Sequence, residues 1–125
     1  MALVLIVEDN PDNMLLTILL LESAGHNVLS AIDAEAGLTL AREKRPDLIL
    51  MDVQLPGMDG LEATALLKAD ATTRAIPVIA LTALAMKGDE ERIRAAGCNG
   101  YISKPMRIQE FLTAVAAHLA PTPAA

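Results

Sequence analysis

Along the chain, apolar residues gather in five short runs: Leu3 to Val7, Asn27 to Ala31, Leu48 to Met51, Pro77 to Leu81 and Gly100 to Ile102. The first, third and fourth are apolar at successive positions, with no alternation. That is the pattern of strands covered on both faces, as in a parallel sheet. A buried helical segment looks the same over so few residues, but the shortness of the runs and the turn residues at their ends favour strands.

The stretches between the runs have helical spacing. Asn10 predicts an N-cap and Pro11 a first helical position, for a helix through Met14, Leu15, Ile18 and Leu21–Glu22 that stops at Gly25. Asp33 predicts the cap of a second helix carrying Leu38 and Ala41 on one face and ended by Pro46. Asp59 with Glu62 three residues on predicts a capping box for a third. Asp89, Glu90 and Glu91 place negative charge in the first turn of a fourth, closed by Gly97. The last is expected from about Met106 to Leu119, before Pro121. Five β-α pairs in alternation predict an α/β fold: parallel strands, right-handed crossovers and helices on both faces of one sheet.

Composition refines this picture. The 125 residues suit one domain, expected over 1–119 with a short tail at 120–125. Tyr101 and Phe111 are the only aromatic residues, so the core must be aliphatic and no stacking platform for single-stranded nucleic acid is available. A formal charge of −6 argues against nucleic acid or an anionic membrane as the main partner. The N-terminus lacks a basic region and a cleavage site, and no apolar stretch approaches the ~20 residues of a spanning helix, so a cytoplasmic location is expected. Cys98 stands alone, without a disulfide partner, and is expected to be a small buried filler with no redox role.

In open α/β sheets, sites form beyond the carboxyl ends of the strands. There the sequence puts Glu8 and Asp9 after the first strand, Asp52 after the third, Thr82 after the fourth, and Ser103 and Lys104 after the fifth. Capping alone does not explain the carboxylates: Asn10 already caps the first helix, and after Asp52 no helix begins until Asp59. Three neighbouring carboxylates repel one another and need positive charge among them. Hard oxygen ligands with few protein contacts suit Mg²⁺, which keeps waters and leaves room for a phosphate oxygen. A carboxylate beside a divalent cation, a lysine and a hydroxyl is a site for phosphoryl transfer.

Five motifs carry a resemblance: Leu5-Ile6-Val7-Glu8-Asp9-Asn10, Pro46-Asp47-Leu48-Ile49-Leu50-Met51-Asp52, Leu55-Pro56-Gly57-Met58-Asp59-Gly60, Leu81-Thr82-Ala83 and Tyr101-Ile102-Ser103-Lys104-Pro105. In this order and at these separations, from about Leu3 to Leu119, the chain resembles the CheY-like receiver domains of two-component signalling. Ala85-Met86-Lys87-Gly88-Asp89-Glu90-Glu91-Arg92 further resembles receivers of the DivK cell-cycle type and those attached to hybrid kinases. The resemblance implies a flavodoxin-like (βα)5 three-layer sandwich with strand order 2-1-3-4-5. It also implies that Asp52 accepts a phosphoryl group from the phosphohistidine of a sensor histidine kinase or a histidine phosphotransfer protein. Mg²⁺, with Mn²⁺ as a substitute, would be held by Asp9, Asp52 and the backbone carbonyl of Gln54, with Glu8 acting through water. Lys104 would pair with the phosphoryl group, and its bond to Pro105 would be cis. Thr82 would swing towards a phosphoryl oxygen and Tyr101 would turn inward, switching the surface of helix four, strand five and helix five for a downstream protein target. Gln54 and Leu84 stand where this family tunes dephosphorylation; an apolar Leu84 cannot orient a water, so a long-lived phosphoryl group is expected. His26 and His118 fall outside the rim.

On this reading the protein is a phosphoacceptor switch with self-catalysed transfer and autodephosphorylation, not an enzyme acting on other molecules, and a monomer or weak dimer. Met1 and the short tail favour a stand-alone protein; a receiver cut from a hybrid histidine kinase is the alternative. An aspartyl-nucleophile phosphatase or transferase on a parallel sheet is the enzyme alternative. The haloacid-dehalogenase group wants a second Asp two residues after the nucleophile, where this chain has Gln54. No Gly-x-Gly-x-x-Gly turn or P-loop follows any strand, against nucleotide binding.

Overall fold

The computed structural model describes residues 2–83, 87–104 and 107–119. The Lys104–Pro105 bond, Leu84, the helix start at Met106 and the 120–125 tail lie outside the described residues. The elements alternate as expected: β1 (Leu3–Val7), α1 (Pro11–Ser23), β2 (Asn27–Ala31), α2 (Ala34–Lys44), β3 (Leu48–Asp52), α3 (Gly60–Ala69), β4 (Val78–Thr82), α4 (Lys87–Ala95), β5 (Gly100–Ser103) and α5 (Ile108–Leu119). The sheet is parallel throughout, in the order β2-β1-β3-β4-β5.

The uninterrupted apolar runs have a simple cause. β3 and β4 are buried at every residue, and alternate side chains feed two separate cores. Leu5, Val7, Ile49, Met51, Val78 and Ala80 pack with α2, α3 and Ile93 of α4. Val4, Ile6, Leu48, Leu50, Ile79 and Leu81 pack with Leu21 of α1 and with Phe111 and Val115 of α5. The edge strands β2 and β5 are only partly covered, and their sequences are correspondingly mixed.

Capping fixes where the helices begin, and so where the carboxyl-end loops run. Asn10 Oδ1 accepts from the N–H groups of Asp12 at 2.9 Å and Asn13 at 3.0 Å. Asp33 accepts from Ala36 N–H and Asp59 from Glu62 N–H, both at 2.8 Å. At the end of α2, Arg45 adopts a left-handed conformation (φ 45°), the one non-glycine residue among those described with positive φ, immediately before Pro46. A following proline disfavours the α region for the residue it follows, so the helix cannot continue there.

α1 departs from its simple pattern. Its sequence is apolar nearly all round, and the fold turns Thr17 and Leu21 inward while Leu15, Leu16 and Leu19 remain exposed. Thr17 tolerates burial because its hydroxyl donates to the Asn13 carbonyl at 2.7 Å. Among the described residues no helix is long and apolar enough to cross a membrane.

Candidate functional site

Side-chain alternation decides which residues meet at the carboxyl rim. On β3, Leu48 and Leu50 face α1 and α5, and Asp52 continues that parity. On β1, Val4 and Ile6 face the same way, and Glu8 follows them, with its N–H on the Ala31 carbonyl at 3.0 Å. Two strands that are neighbours in the sheet therefore deliver Glu8 and Asp52 to one spot. Lys104 arrives from beyond β5, its backbone N–H on the Thr82 carbonyl at 2.8 Å.

The Lys104 ammonium bridges the two acids, 2.9 Å from Asp52 Oδ2 and 3.0 Å from Glu8 Oε2. The remaining oxygens are also held: Asp52 Oδ1 accepts from Gln54 N–H at 3.0 Å, and Glu8 Oε1 from Asn10 N–H at 3.2 Å. Glu8 is 1% and Asp52 4% exposed, whereas Asp9 opens to solvent. One oxygen from each of Glu8, Asp9 and Asp52 lies within 4.8 Å of the others. They border a cleft of about 530 Å³ that Asn10, Asn13, Gln54, Ala83 and Lys104 also line.

Electrostatics follow from this geometry. Burial, and after it the neighbouring Asp52 side chain, push the Glu8 carboxyl above its ordinary range, while Lys104 and the Asn10 N–H pull it part of the way back. For Lys104, burial opposes the charge, but hydrogen bonds to Asp52 and Glu8 outweigh it and raise its pKa. Three carboxylates and one ammonium leave a formal charge of −2, which a single divalent cation balances. All of these donors are hard oxygens gathered at one spot and partly open to solvent, the kind of set that suits Mg²⁺ with several waters retained.

The sequence-predicted residues separate into two groups. Glu8, Asp9, Asp52, Gln54 and Lys104 come together in the cleft. Thr82 is buried at the end of β4 and shares the parity of Val78 and Ala80, which face the α2–α4 side. Tyr101 pairs in register with Ala80 and packs against that same layer, so Thr82 and Tyr101 are near neighbours on one face of adjacent strands. The Tyr101 hydroxyl is hydrogen-bonded to Glu90 of α4, which raises its pKa.

Cys98 is buried, its Sγ 3.8 Å from Thr64 Oγ1, and burial pushes the thiol up, as suits an inert filler. The His118 ring reaches the Ala114 and Asn99 carbonyls beside the amino end of β5, and His26 precedes β2, so neither approaches the cleft. Two features escaped the sequence. Glu8 meets Lys104 directly, and Gly60 lies against the backbone of Asp52. For the first, the extra methylene of Glu over Asp was the available signal.

The family model of the response regulator receiver domain matches residues 4–116. The chain belongs to the response regulator receiver domain family. It is 53% identical over 116 residues to the polar-differentiation response regulator DivK of Brucella anthropi, covering 93% of this chain and 94% of that one. Among solved structures, it superposes on the receiver domain of a sensor histidine kinase from Pseudomonas aeruginosa, which holds magnesium in its active-site cleft, with a TM-score of 0.88 and 37% identity. That match covers 94% of this chain and 97% of the other. The chemotaxis protein CheY4 of Vibrio cholerae matches with a TM-score of 0.90 and 28% identity, over 95% of this chain and 99% of that one. The chain is thus a DivK-like receiver of two-component signalling, a signalling switch, and the aspartyl-phosphatase alternative is not favoured.

Proposed function

We propose that Asp52 is the phosphoacceptor of this receiver and that the cleft catalyses its own loading and unloading. The observation that carries the reading is the ammonium of Lys104 shared between Asp52 and Glu8 at 2.9 and 3.0 Å, with Asp9 alongside. An Asp52 oxygen attacks the phosphorus of a phosphohistidine on a sensor kinase or phosphotransfer protein. The O–P bond forms as the N–P bond breaks, and the departing imidazole keeps the electron pair and takes up a proton. Gln54 N–H on Oδ1 fixes the plane of the carboxylate. Lys104, already on Oδ2, is poised to pass to a phosphoryl oxygen as charge builds there.

Asp9, Asp52 and the Gln54 carbonyl would hold Mg²⁺, or Mn²⁺ in its stead, with Glu8 contributing through water. When bound, the cation neutralises charge on the acids and on the phosphoryl oxygens. In the DivK-like switch, the phosphoryl group draws the Thr82 hydroxyl and Tyr101 moves inward, giving up Glu90 and altering the α4–β5–α5 face for a downstream protein. The shared face of Thr82 and Tyr101 supports this coupling. If Tyr101→Ala leaves partner affinity as sensitive to phosphorylation as before, the coupling is wrong. We read 1–119 as the working unit, acting as a monomer or weak dimer.

Intact mass after incubation with acetyl phosphate and Mg²⁺ tests the chemistry. One phosphoryl group should be gained, and Asp52→Asn or a chelator should abolish the gain. A gain that survives Asp52→Asn overturns the assignment.

A further inference from the structure

Asp52 is constrained from behind as well as through its side chain. α3 starts at Gly60, and a Cβ built there would overlap the Asp52 carbonyl oxygen, lie 2.8 Å from its carbonyl carbon and 3.0 Å from Met51 Cγ. The first two obstacles are backbone atoms at the end of a fully buried strand, and they cannot rotate aside. Gly60 also donates its N–H to the Val53 carbonyl at 3.0 Å and accepts the Thr64 hydroxyl at 2.8 Å. A single residue therefore closes the loop from Val53 to Gly60 while resting on the peptide of Asp52. That loop carries Gln54, whose N–H holds Asp52 Oδ1.

We infer that Gly60 is a positioning residue for phosphoryl acceptance: the missing side chain sets how deeply Asp52 and Gln54 sit against Glu8 and Lys104. This rests on Asp52 being the acceptor. A methyl group at position 60 must push apart the start of α3 and the end of β3, and the acceptor carboxylate moves with the strand. Misplacement of reacting groups by about 1 Å costs on the order of a hundredfold in rate.

Gly37 offers a matched control. A Cβ there would stand 2.6 Å from Val7 Cγ2, so Gly37→Ala overpacks the same layer, but against a side-chain methyl. The experiment compares the wild type, Gly60→Ala and Gly37→Ala in Mg²⁺ affinity by calorimetry, phosphorylation rate with acetyl phosphate, and the amide resonance of Gln54. Gly60→Ala should weaken Mg²⁺ binding about tenfold, slow phosphorylation by at least as much and shift the Gln54 amide. Gly37→Ala, at a similar fall in Tm, should keep affinity and rate within about twofold of the wild type.

If Gly60→Ala does not fold, Thr64→Val, which removes the hydroxyl bond to the Gly60 carbonyl, should weaken Mg²⁺ binding about two- to threefold; unchanged affinity there overturns the inference. Wild-type affinity and rate in a folded Gly60→Ala, or equal losses in both glycine variants, also overturn it. A wild-type protein that takes no phosphoryl group at Asp52 instead overturns the acceptor reading.

Discussion

Two lysines at opposite ends of the sheet are both half-sheltered, and the fold treats them in opposite ways. At the carboxyl rim, Lys104 meets two carboxylates, and its pKa rises against the pull of burial. At the amino rim, Lys68 meets the carbonyls of Arg74 at 3.2 Å and Ile76 at 2.8 Å and the side-chain oxygen of Asn99 at 3.0 Å. Burial lowers its pKa, and Cys98 offsets this only in part. Both ammonium groups are well hydrogen-bonded, but only one has its charge balanced. Neutral dipoles make a permanent clip between α3, the approach to β4 and the approach to β5. Carboxylates make a partnership that another cation or a phosphoryl group can take over. The first arrangement is structural; the second is the one on which the proposed phosphoryl switch would act.

The largest expected contrast is in rate. Lys104→Met should slow phosphorylation by acetyl phosphate on the order of a hundredfold or more, as loss of one charge-stabilising donor does. Lys68→Met should leave that rate within about twofold, because no group it touches lines the cleft. Equal losses would break the comparison.

Stability should separate the two next. Lys68→Met strips a partner from two carbonyls and should cost about 1–3 kcal/mol in urea unfolding, with or without Mg²⁺. Lys104→Met leaves Glu8 and Asp52 without a counter-charge. It should destabilise the protein in chelator, regain most of that loss in millimolar Mg²⁺ and bind the cation more tightly than the wild type.

The pH dependence sharpens the contrast further. The Glu8 carboxyl is raised above its ordinary value of 4.5, so the folded state holds that proton more tightly than the unfolded chain. Metal-free protein should therefore lose stability as pH climbs from about that value through the higher folded pKa. Glu8→Gln should flatten that fall and stabilise the metal-free protein at neutral pH. In the alkaline range the lysines oppose each other. The raised Lys104 contributes stability that is present below 10.5 and lost as pH rises through its folded pKa. The lowered Lys68 makes the fold gain stability between its folded pKa and 10.5. Unfolding profiles of the two Met variants, each subtracted from the wild type, should slope in opposite senses. The smallest effect belongs to the surface: Arg42→Ala breaks the exposed 3.2 Å pair with Asp70 and should leave the urea midpoint almost unchanged.

Much of this was legible in the sequence, and the reasons are local. Caps at Asn10, Asp33 and Asp59 mark where helices start, and runs such as Leu48 to Met51 mark strands covered on both sides. With strand ends known, Glu8, Asp9, Asp52 and Lys104 fall on one rim by topology. What stayed hidden depends on pairing in space. The strand order came through family resemblance, since no local pattern encodes which strands are neighbours. The inner face of α1 was ambiguous because leucines surround the helix, and a satisfied threonine went inside in place of Leu15 or Leu19. No local pattern in the sequence marks Lys68, and Gly60 stands there only as the last residue of a motif. Their roles come from the carbonyls the fold brings to them.

The central claim is that Asp52 carries the phosphoryl group while the acids beside it do not. Borohydride reduction of protein loaded with acetyl phosphate and Mg²⁺, followed by peptide mass mapping, tests it directly, because an aspartyl phosphate is reduced to homoserine. Homoserine at position 52 alone, absent when Mg²⁺ is chelated, is the predicted result. Homoserine at position 9, or at any position other than 52, would contradict it.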